Sequence, residues 1–415
     1  MIEKPVDKND RAMLRELAGR VAEIAALPVQ QETIRLWKAL NGLRPARAMV
    51  LIDQIPWHEM DVGGELKPQC RDEFARKLET QLRRKLYAWK HIRADMVVEP
   101  FIALRKVFRD EGFGIRTAEE TAVTDPHSDV LAHRYTDQLQ TEEDLSKIHA
   151  PQITLDEKAT AELEEKARGF FDGLLEVRME GYELWFRPWD MIAMWHGAEG
   201  CLCDLAFRPD FVHRLMVRLT DAHFAMLDDL ESRGLLCQPQ SLIHCTGAWT
   251  DELPAPGFRS ENPRAKDLWT AGMAQVFSTV SPAMHKEFEI DYALRWYARF
   301  GLGYYGCCEP LHDKIDLIRK LPRVRKISMS PWADAAKGAE RISRDYVYSC
   351  KPNPALLAWE TWNPQAAQAD LRRTLEECAR HRCPVEFTLK DISTVRYQPQ
   401  RLWEWADVAM KLVRG

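Results

Sequence analysis

The chain has 415 residues and a mass of 48.0 kDa, and its 58 basic and 63 acidic residues give a formal net charge of −5. Because the basic residues are scattered among acids, neither a nucleic acid nor an anionic membrane is expected as a partner. No segment reaches the ~20 apolar residues of a membrane span, and the charged amino terminus does not resemble a signal peptide. We therefore expect a cytoplasmic protein with reduced cysteines.

The first predicted elements are two helices. Residues 11–42 carry apolar residues at helical spacing, with a break at Pro28 and a stop at Gly42. These helices precede the first strand-like run of the chain. We therefore assign residues 1–45 to an N-terminal helical extension.

A first strand is predicted between Arg47 and His58, where a short apolar run ends in polar and aromatic residues. Asp53 and His58 are candidate catalytic groups at its end, and Trp57 is a candidate for substrate binding, because loops at catalytic rims commonly carry such residues. The alternative is a turn with exposed charges, with the tryptophan packed in the core.

The middle of the chain is less regular. Residues 74–91 predict an amphipathic helix and residues 95–104 a second strand, whereas residues 105–165 contain glycines and acid-rich stretches. We interpret residues 105–165 as an insertion or lid over the mouth of the domain. Its histidines are expected to be solvated loop residues: His127, His133 and His149.

From residue 159 onwards, helical and strand-like runs alternate. Strands are expected at residues 174–181, 182–190, 241–249, 304–307, 325–329, 346–350 and 384–394. Helices of about 10 to 18 residues between strands favour parallel βα units. No GxGxxG or GxxxxGK[ST] motif is present, which argues against a dinucleotide or nucleotide fold. We therefore predict an α/β protein with a (β/α)8 TIM barrel over residues 46–415.

Residues 301–316, GLGYYGCCEPLHDKID, hold the densest group of reactive side chains. The two tyrosines favour a strand, which places Cys307 and Cys308 at its carboxyl end, and in a barrel this end forms the catalytic rim. Glu309 is a candidate catalytic acid and Tyr305 a candidate for substrate binding. The alternative is that the cysteines are small buried hydrophobic residues.

Two lysines and two tryptophans are further candidates at the predicted rim. Lys351 and Lys390 lie at or just past strand ends, where an ammonium group neutralises a phenolate or carboxylate of a substrate. The alternative is a structural salt bridge. Trp332 and Trp359 are candidates for binding a flat aromatic ligand, with core packing as the first explanation.

Three segments together resemble a known family: IDQIPWHEM, MWHGAEGCLCDLAFRPDFVHRLM, and the part from GYYGCCEPL to LKDIST. They resemble the uroporphyrinogen decarboxylase superfamily, a group of (β/α)8 barrels, over about residues 45–415. The decarboxylases of this family carry an arginine-rich RQAGR motif after the first strand, where this chain has HEMDVGGELK. The resemblance is therefore closer to the corrinoid-dependent methyltransferase branch, which includes O-demethylases.

The resemblance implies a zinc site. These methyltransferases hold zinc with an HxCG-type motif on a late strand and a cysteine from the last strand. Here the corresponding segments are YGCCE and LKDIST, so Cys307 and Cys308 are the implied ligands, and His244 and Asp391 are candidates to complete the set. Glu309 is a further possible ligand, and a mixed set of sulfur and oxygen ligands departs from the family pattern.

The first functional hypothesis is a methyltransferase. It takes a methyl group from a small O-, N- or S-methyl compound, an aromatic methyl ether among the candidates, and passes it to the cobalt of a separate corrinoid protein, since this chain lacks the DxHxxG motif of corrinoid carriers. The alternatives are a lyase that decarboxylates a small carboxylic acid without a metal, and a non-catalytic ligand-binding barrel. A homodimer is a possible assembly.

Strand geometry gives two further expectations. Asp53, His244, Cys307, Lys351 and Asp391 should face one cavity, because parallel strands of a barrel point their carboxyl ends the same way. Strand side chains alternate between faces, so only one of the two adjacent cysteines should line that cavity unless the turn breaks the alternation. A thiolate beside an acid is also expected to have a raised pKa unless a cation is bound to it.

Overall fold

The N-terminal part of the molecule is helical, as predicted. The computed structural model describes residues 7–123 and 131–415, so that His127 lies outside the described residues. The helices are α1 (Lys8–Ala25), α2 (Pro28–Asn41) and α3 (Glu73–His91). The Asp7 side chain caps α1, a proline begins α2, and Gly42 follows its last turn. Helix α2 is fixed to the domain by Trp37, whose indole nitrogen donates to the Asp95 carbonyl at 2.8 Å.

The centre of the fold is a parallel sheet of six strands. These strands are β1 (Met49–Ile52), β10 (Trp269–Gly272), β11 (Leu302–Tyr305), β12 (Val324–Met329), β13 (Val347–Cys350) and β14 (Val385–Leu389), in the spatial order β1, β14, β13, β12, β11, β10. Strands β10, β11, β13 and β14 are buried throughout, as expected for parallel strands that are covered on both faces. Their carboxyl ends therefore lie at one edge of the sheet.

The described strands form an open sheet with two edges rather than a closed barrel of eight strands. At the β1 edge, the Asp95 amide donates to the Val50 carbonyl at 2.8 Å, and at the β10 edge the Phe186 amide donates to the Ala271 carbonyl at 2.8 Å. Each contact is too short a pairing to make a strand. The predicted strand at residues 182–190 is therefore wrong, and that at 95–104 is reduced to β2 (Phe101–Arg105), which pairs with β7 (Glu176–Glu180).

Residues 241–249 were expected to form one strand, and this prediction is wrong. They form a tight antiparallel hairpin of β8 (Leu242–Ile243) and β9 (Thr246–Gly247). His244 and Cys245 occupy its turn with φ angles of 44° and 66°, a left-handed conformation that ends an extended strand. The hairpin therefore presents both side chains at its tip instead of on alternate faces.

The predicted insertion consists of small elements. They are β3 (Phe108–Asp110), β4 (Glu119–Val123), β5 (Leu131–Tyr135), α4 (Glu142–Leu145) and β6 (Ile153–Leu155), with β3 paired to β6 and β4 to β5. A buried histidine of the later helix Pro188–Phe207 ties this region to that helix. His196 contacts Asp137 of the region at 2.6 Å and Asp204 of its own helix at 2.9 Å. The role of residues 105–165 as a lid, and the division of the chain at residue 45, stay predictions.

The remaining helices cover the sheet and the insertion. They are α5 (Glu157–Phe171), α6 (Pro188–Phe207), α7 (Pro209–Ser232), α8 (Pro282–His285), α9 (Asp291–Tyr297), α10 (Ile315–Ile318), α11 (Ala335–Ile342), α12 (Ala355–Ala358), α13 (Pro364–Arg380) and α14 (Gln400–Arg414). A π-helical turn, Lys286–Ile290, joins α8 to α9. Among the described helices, none has the length and apolar character needed to cross a bilayer.

His223 on α7 predicts how stability depends on pH. Burial lowers its pKa to about 4, and its ring is stacked on Phe113 at 4.5 Å. Between that value and the unfolded pKa of about 6.5, the unfolded chain binds a proton that the native state does not, so stability falls as the pH drops from about 6.5 to about 4, by about 3 kcal/mol from this residue. In chemical denaturation at several pH values, His223→Phe should show a smaller loss across that window. An identical loss in both proteins would contradict the assignment.

Candidate functional site

The turn after β11 places both cysteines on one side of the sheet. Gly306 has a φ of 96°, and a Cβ atom there would lie 2.4 Å from the Leu311 side chain, so this turn requires glycine. The turn breaks the alternation of the strand, and Cys307 and Cys308 bring their sulfur atoms to 3.5 Å from each other. The expectation that only one cysteine would line the cavity is therefore wrong, because it held only if the turn kept the alternation of the strand.

A lysine and an acid, the two residues that follow β14, complete the surroundings of the two sulfurs. Lys390 Nζ lies 3.3 Å from Cys307 Sγ and 3.1 Å from Asp391 Oδ2. Asp391 Oδ2 is in turn 3.8 Å from Cys308 Sγ. Cys307 and Lys390 are buried, whereas Cys308 and Asp391 are exposed. The solvent-facing group of this arrangement is therefore the Cys308 thiol.

The two thiols differ in acidity. The hydrogen bond from the Cys307 thiol lowers the pKa of Cys308, and the positive charge of Lys390 adds to this effect despite burial. The same bond to Cys308, together with burial, raises the pKa of Cys307. Burial by itself would lower the pKa of Lys390, but the neighbouring Cys307 and Asp391 charges raise it. These directions make Cys308 the more acidic thiol of the pair, although the contact of Lys390 is with Cys307 Sγ, at 3.3 Å.

Glu309 supports the turn from behind. Its buried carboxylate accepts hydrogen bonds from the Cys307 amide at 2.9 Å and the Ala274 amide at 3.3 Å. Burial raises its pKa, against the effect of these backbone bonds. The contacts make Glu309 a positioning group for the cysteine turn, because its oxygen atoms are bonded to backbone amides rather than to the thiols.

His244 at the tip of the β8/β9 hairpin faces the cysteines. Its ring is stacked on Tyr304 at 4.9 Å between centroids with an interplanar angle of 7°, and on Trp185 at 5.5 Å. Burial lowers the pKa of His244, while a hydrogen bond to Cys307 opposes that change. Within the described ranges, its Nδ1 atom has no hydrogen-bond partner. A neutral imidazole with one nitrogen unused therefore lies beside the buried thiol.

Asp53 and Lys351 complete the group. Burial and a hydrogen bond to Asp53 raise the pKa of Cys245 to about 12, which places the end of β1 beside the hairpin tip. Lys351 Nζ donates to Ser349 Oγ at 3.2 Å and lies 5.2 Å from the centre of the Tyr304 ring. Together these side chains form the thiol cluster: Asp53, His244, Cys245, Cys307, Cys308, Lys351, Lys390 and Asp391.

Tyr305 and Trp57, both predicted to bind substrate, lie elsewhere. The Tyr305 hydroxyl is bonded to His285 Nε2 at 2.7 Å, on the face of the sheet opposite to Tyr304, because neighbouring strand residues point to opposite faces. Trp57 packs edge-on against Tyr87 of α3, with centroids 5.9 Å apart. The apolar surface of Trp57 packs in the core. Neither Tyr305 nor Trp57 therefore belongs to the thiol cluster.

The remaining predicted residues are also outside the cluster. His58 lies 3.6 Å from Glu59 and edge-on to Tyr397, where it packs on the loop after β14. Trp332 and Trp359 are 73% and 48% exposed. Cys245, Tyr304 and Trp185 were not predicted as site residues, although Cys245 directly follows His244, which was.

The cluster has some, but not all, of the features of a metal site. In the described part of the chain, no group of three or more His, Cys, Asp or Glu side chains is already arranged to hold a metal ion. Two features nevertheless suit zinc: two thiols 3.5 Å apart and the unused Nδ1 of the adjacent His244. Lys390 is next to Cys307, at 3.3 Å, and would have to withdraw for this set to bind a cation.

The thiol pair makes a prediction about reactivity. Cys308 should be alkylated by iodoacetamide with a pH inflection below the ordinary thiol value of about 8.5, because Lys390 and the Cys307 thiol stabilise its thiolate. Lys390→Met should raise the pKa of Cys308 and slow the reaction at pH 7 about tenfold or less, with recovery at high pH. The exposed Lys337→Met variant is the control. Mass spectrometry identifies the modified residue, and preferential modification of Cys307 would contradict the assignment.

Comparisons with known proteins support the fold alone. The chain is similar to the structure of a methyltransferase from Methanosarcina mazei, with a TM-score of 0.50 and 12% sequence identity over 91% of this chain and 97% of that chain. No family model matches the sequence, and no curated protein matches it. The α/β fold of this chain is thus also the fold of a methyltransferase.

Proposed function

We propose that the protein is a methyltransferase whose reaction takes place at the thiol cluster. The observation that carries this proposal is the Cys307 and Cys308 pair, with sulfurs 3.5 Å apart, beside the Lys390 ammonium group at 3.3 Å. The shared fold with a methyltransferase supports it. A solvent-facing thiol of lowered pKa beside a buried thiol and a cation suits chemistry on a small group that enters from solution.

The chain's own residues have defined tasks in this proposal. The bond between the methyl carbon and its O, N or S atom breaks, the methyl group passes to an acceptor, and the electron pair of the broken bond stays on the leaving atom. Lys390 is the cation in contact with the sulfur pair, 3.3 Å from Cys307 Sγ, and in this proposal its charge stabilises that developing anion. Glu309 holds the backbone of the turn so that the two sulfurs keep their position.

The acceptor in this proposal is a corrinoid held by a separate protein, and the site binds zinc. The donor chemistry of Cys307, Cys308 and His244 supports the zinc, with Asp391 as a fourth candidate ligand. A bound zinc ion would supply Lewis-acid polarisation of the methylated atom. The exposed position of Cys308 and Asp391 fits an acceptor that approaches from outside the chain.

We also propose that the chain is a divergent member of the uroporphyrinogen decarboxylase superfamily. The support is the set of motifs, from IDQIPWHEM to LKDIST, and the parallel strands whose carboxyl ends meet at the cluster. In this proposal the six strands of the sheet belong to a (β/α)8 barrel. Its two other strand positions, at the two edges of the sheet, are occupied by the irregular segments around Asp95 and Phe186.

Metal content and methyl transfer test the proposal together. Protein purified without chelator should contain about one zinc per chain, and the double variant Cys307→Ser, Cys308→Ser should lose it, because serine is a poor zinc ligand. Methyl transfer to reduced cobalamin, measured by its absorption change with a panel of O-, N- and S-methyl compounds, should be lost as well. Circular dichroism should be unchanged.

The exposed Cys203→Ser variant is the matched control, since it removes a thiol outside the cluster. A double variant that keeps its full zinc content would place the ligands elsewhere. Failure to detect methyl transfer from any member of the panel would remove the main support for the proposal. A metal-free wild type that releases carbon dioxide from a small acid would favour the lyase alternative.

A further inference from the structure

Three lysines lie along one face of the sheet, the inner face, which also carries Tyr304. They differ in which groups balance their charges. Lys326 on β12 is fully buried and pairs with the buried Glu386 at 2.7 Å. Lys390 pairs with Asp391 at 3.1 Å. Lys351, which is 4% exposed, has no carboxylate partner within the part of the chain that the structure describes. Its amino group is therefore buried without a carboxylate at ion-pair distance, and burial lowers its pKa against the opposing effect of the Glu386 charge.

The hydrogen-bonding groups beside Lys351 are also incompletely used. Thr388 lies on β14 two residues after Glu386 and two before Lys390, which directly follows the strand. Residues two apart on a strand share a face, so the Thr388 side chain is on the same inner face as theirs. Thr388 is fully buried, and its hydroxyl has no partner among the described residues. Ser349 shares its face with Lys351 in the same way and already contacts its ammonium group.

An unpaired buried charge is costly, and native proteins rarely retain buried polar groups without a partner. Lys326 shows how this chain satisfies a lysine when the role is structural, because Glu386, Thr246 and the Gly247 carbonyl all contact its nitrogen. The surroundings of Lys351 offer instead a basic nitrogen and a free hydroxyl donor, and among the described residues no carboxylate contacts either of them. This combination is complementary to a carboxylate, which accepts hydrogen bonds at both oxygens.

We propose that Lys351, with Thr388 and Lys390, binds a carboxylate group of the substrate, so that the methyl donor is a small methylated carboxylic acid. This inference rests on the proposed methyl transfer only in naming the acid as the methyl donor. The carboxylate supplies the counter-ion that Lys351 lacks. Lys351 contacts Ser349 and the Tyr304 ring, and Tyr304 in turn stacks on His244, so the bound acid lies next to the cysteine pair.

Binding is tested by calorimetry without a methyl acceptor. The probes are methoxyacetate, para-methoxybenzoate and methylthiopropionate, each compared with its uncharged primary amide. At least one acid should bind about tenfold more tightly than its amide, a difference that an added charge-assisted hydrogen bond accounts for. Lys351→Met should abolish this preference, whereas the exposed Lys337→Met should keep it. No preference for any acid in the wild type would overturn the proposal.

A second variant and a stability measurement guard against misfolding. Thr388→Val keeps the shape of the side chain and removes the hydroxyl, so it should weaken binding of the acid severalfold without affecting the amide. Lys351→Met should not lower the Tm in the absence of ligand, because an apolar side chain replaces an unpaired charge. Retention of the acid preference in both variants would overturn the proposal. An acid that binds as expected but never loses its methyl group would contradict the proposed function and leave the carboxylate site standing.

Discussion

The parallel alignment of β11 to β14 is the constraint on which the site depends. Parallel strands all run in the same direction, so their carboxyl ends lie at one edge of the sheet even when they are far apart in sequence. The cysteine turn follows β11, Lys351 follows β13, and Lys390 follows β14, so three loops supply the thiols and both ammonium groups. The β8/β9 hairpin then adds His244 from a different sheet. The cluster is thus assembled by strand direction rather than by proximity along the chain.

The inner face of the sheet is unusually polar for a parallel sheet. Lys326, Ser349, Glu386 and Thr388 are all fully buried there, where bulky apolar residues are the ordinary choice. Lys326 pairs with one oxygen of Glu386, whereas the other Glu386 oxygen and the Thr388 hydroxyl have no partner among the described residues. Buried polar groups without a partner are what a binding site provides, because a ligand completes what the protein leaves unsatisfied.

The sequence predicted the elements with strong periodicity and the grouping of strand ends, and it failed where backbone conformation decides. Residues 11–42 and 74–91 have helical apolar spacing that no other structure uses, so their boundaries agree closely with α1, α2 and α3. The β8/β9 hairpin was missed because His244 and Cys245 adopt positive φ angles that non-glycine residues rarely take. Tyr305 was chosen over Tyr304 because facing direction follows from strand register, which one sequence does not specify.

The adjacency of Cys307 and Cys308 in the chain separates two properties of the site. Their sulfur spacing depends on neighbouring parts of the chain, namely the peptide unit between them, the turn at Gly306 and the hydrogen bond from the Cys307 amide to Glu309. The cation beside them comes from Lys390, 83 residues further along. If the end of β14 moved away from β11, the spacing of the two sulfurs would not change, but the thiols would lose the nearby positive charge of Lys390. The acidity of the thiols therefore depends on the distance between two loops as well as on the thiols themselves.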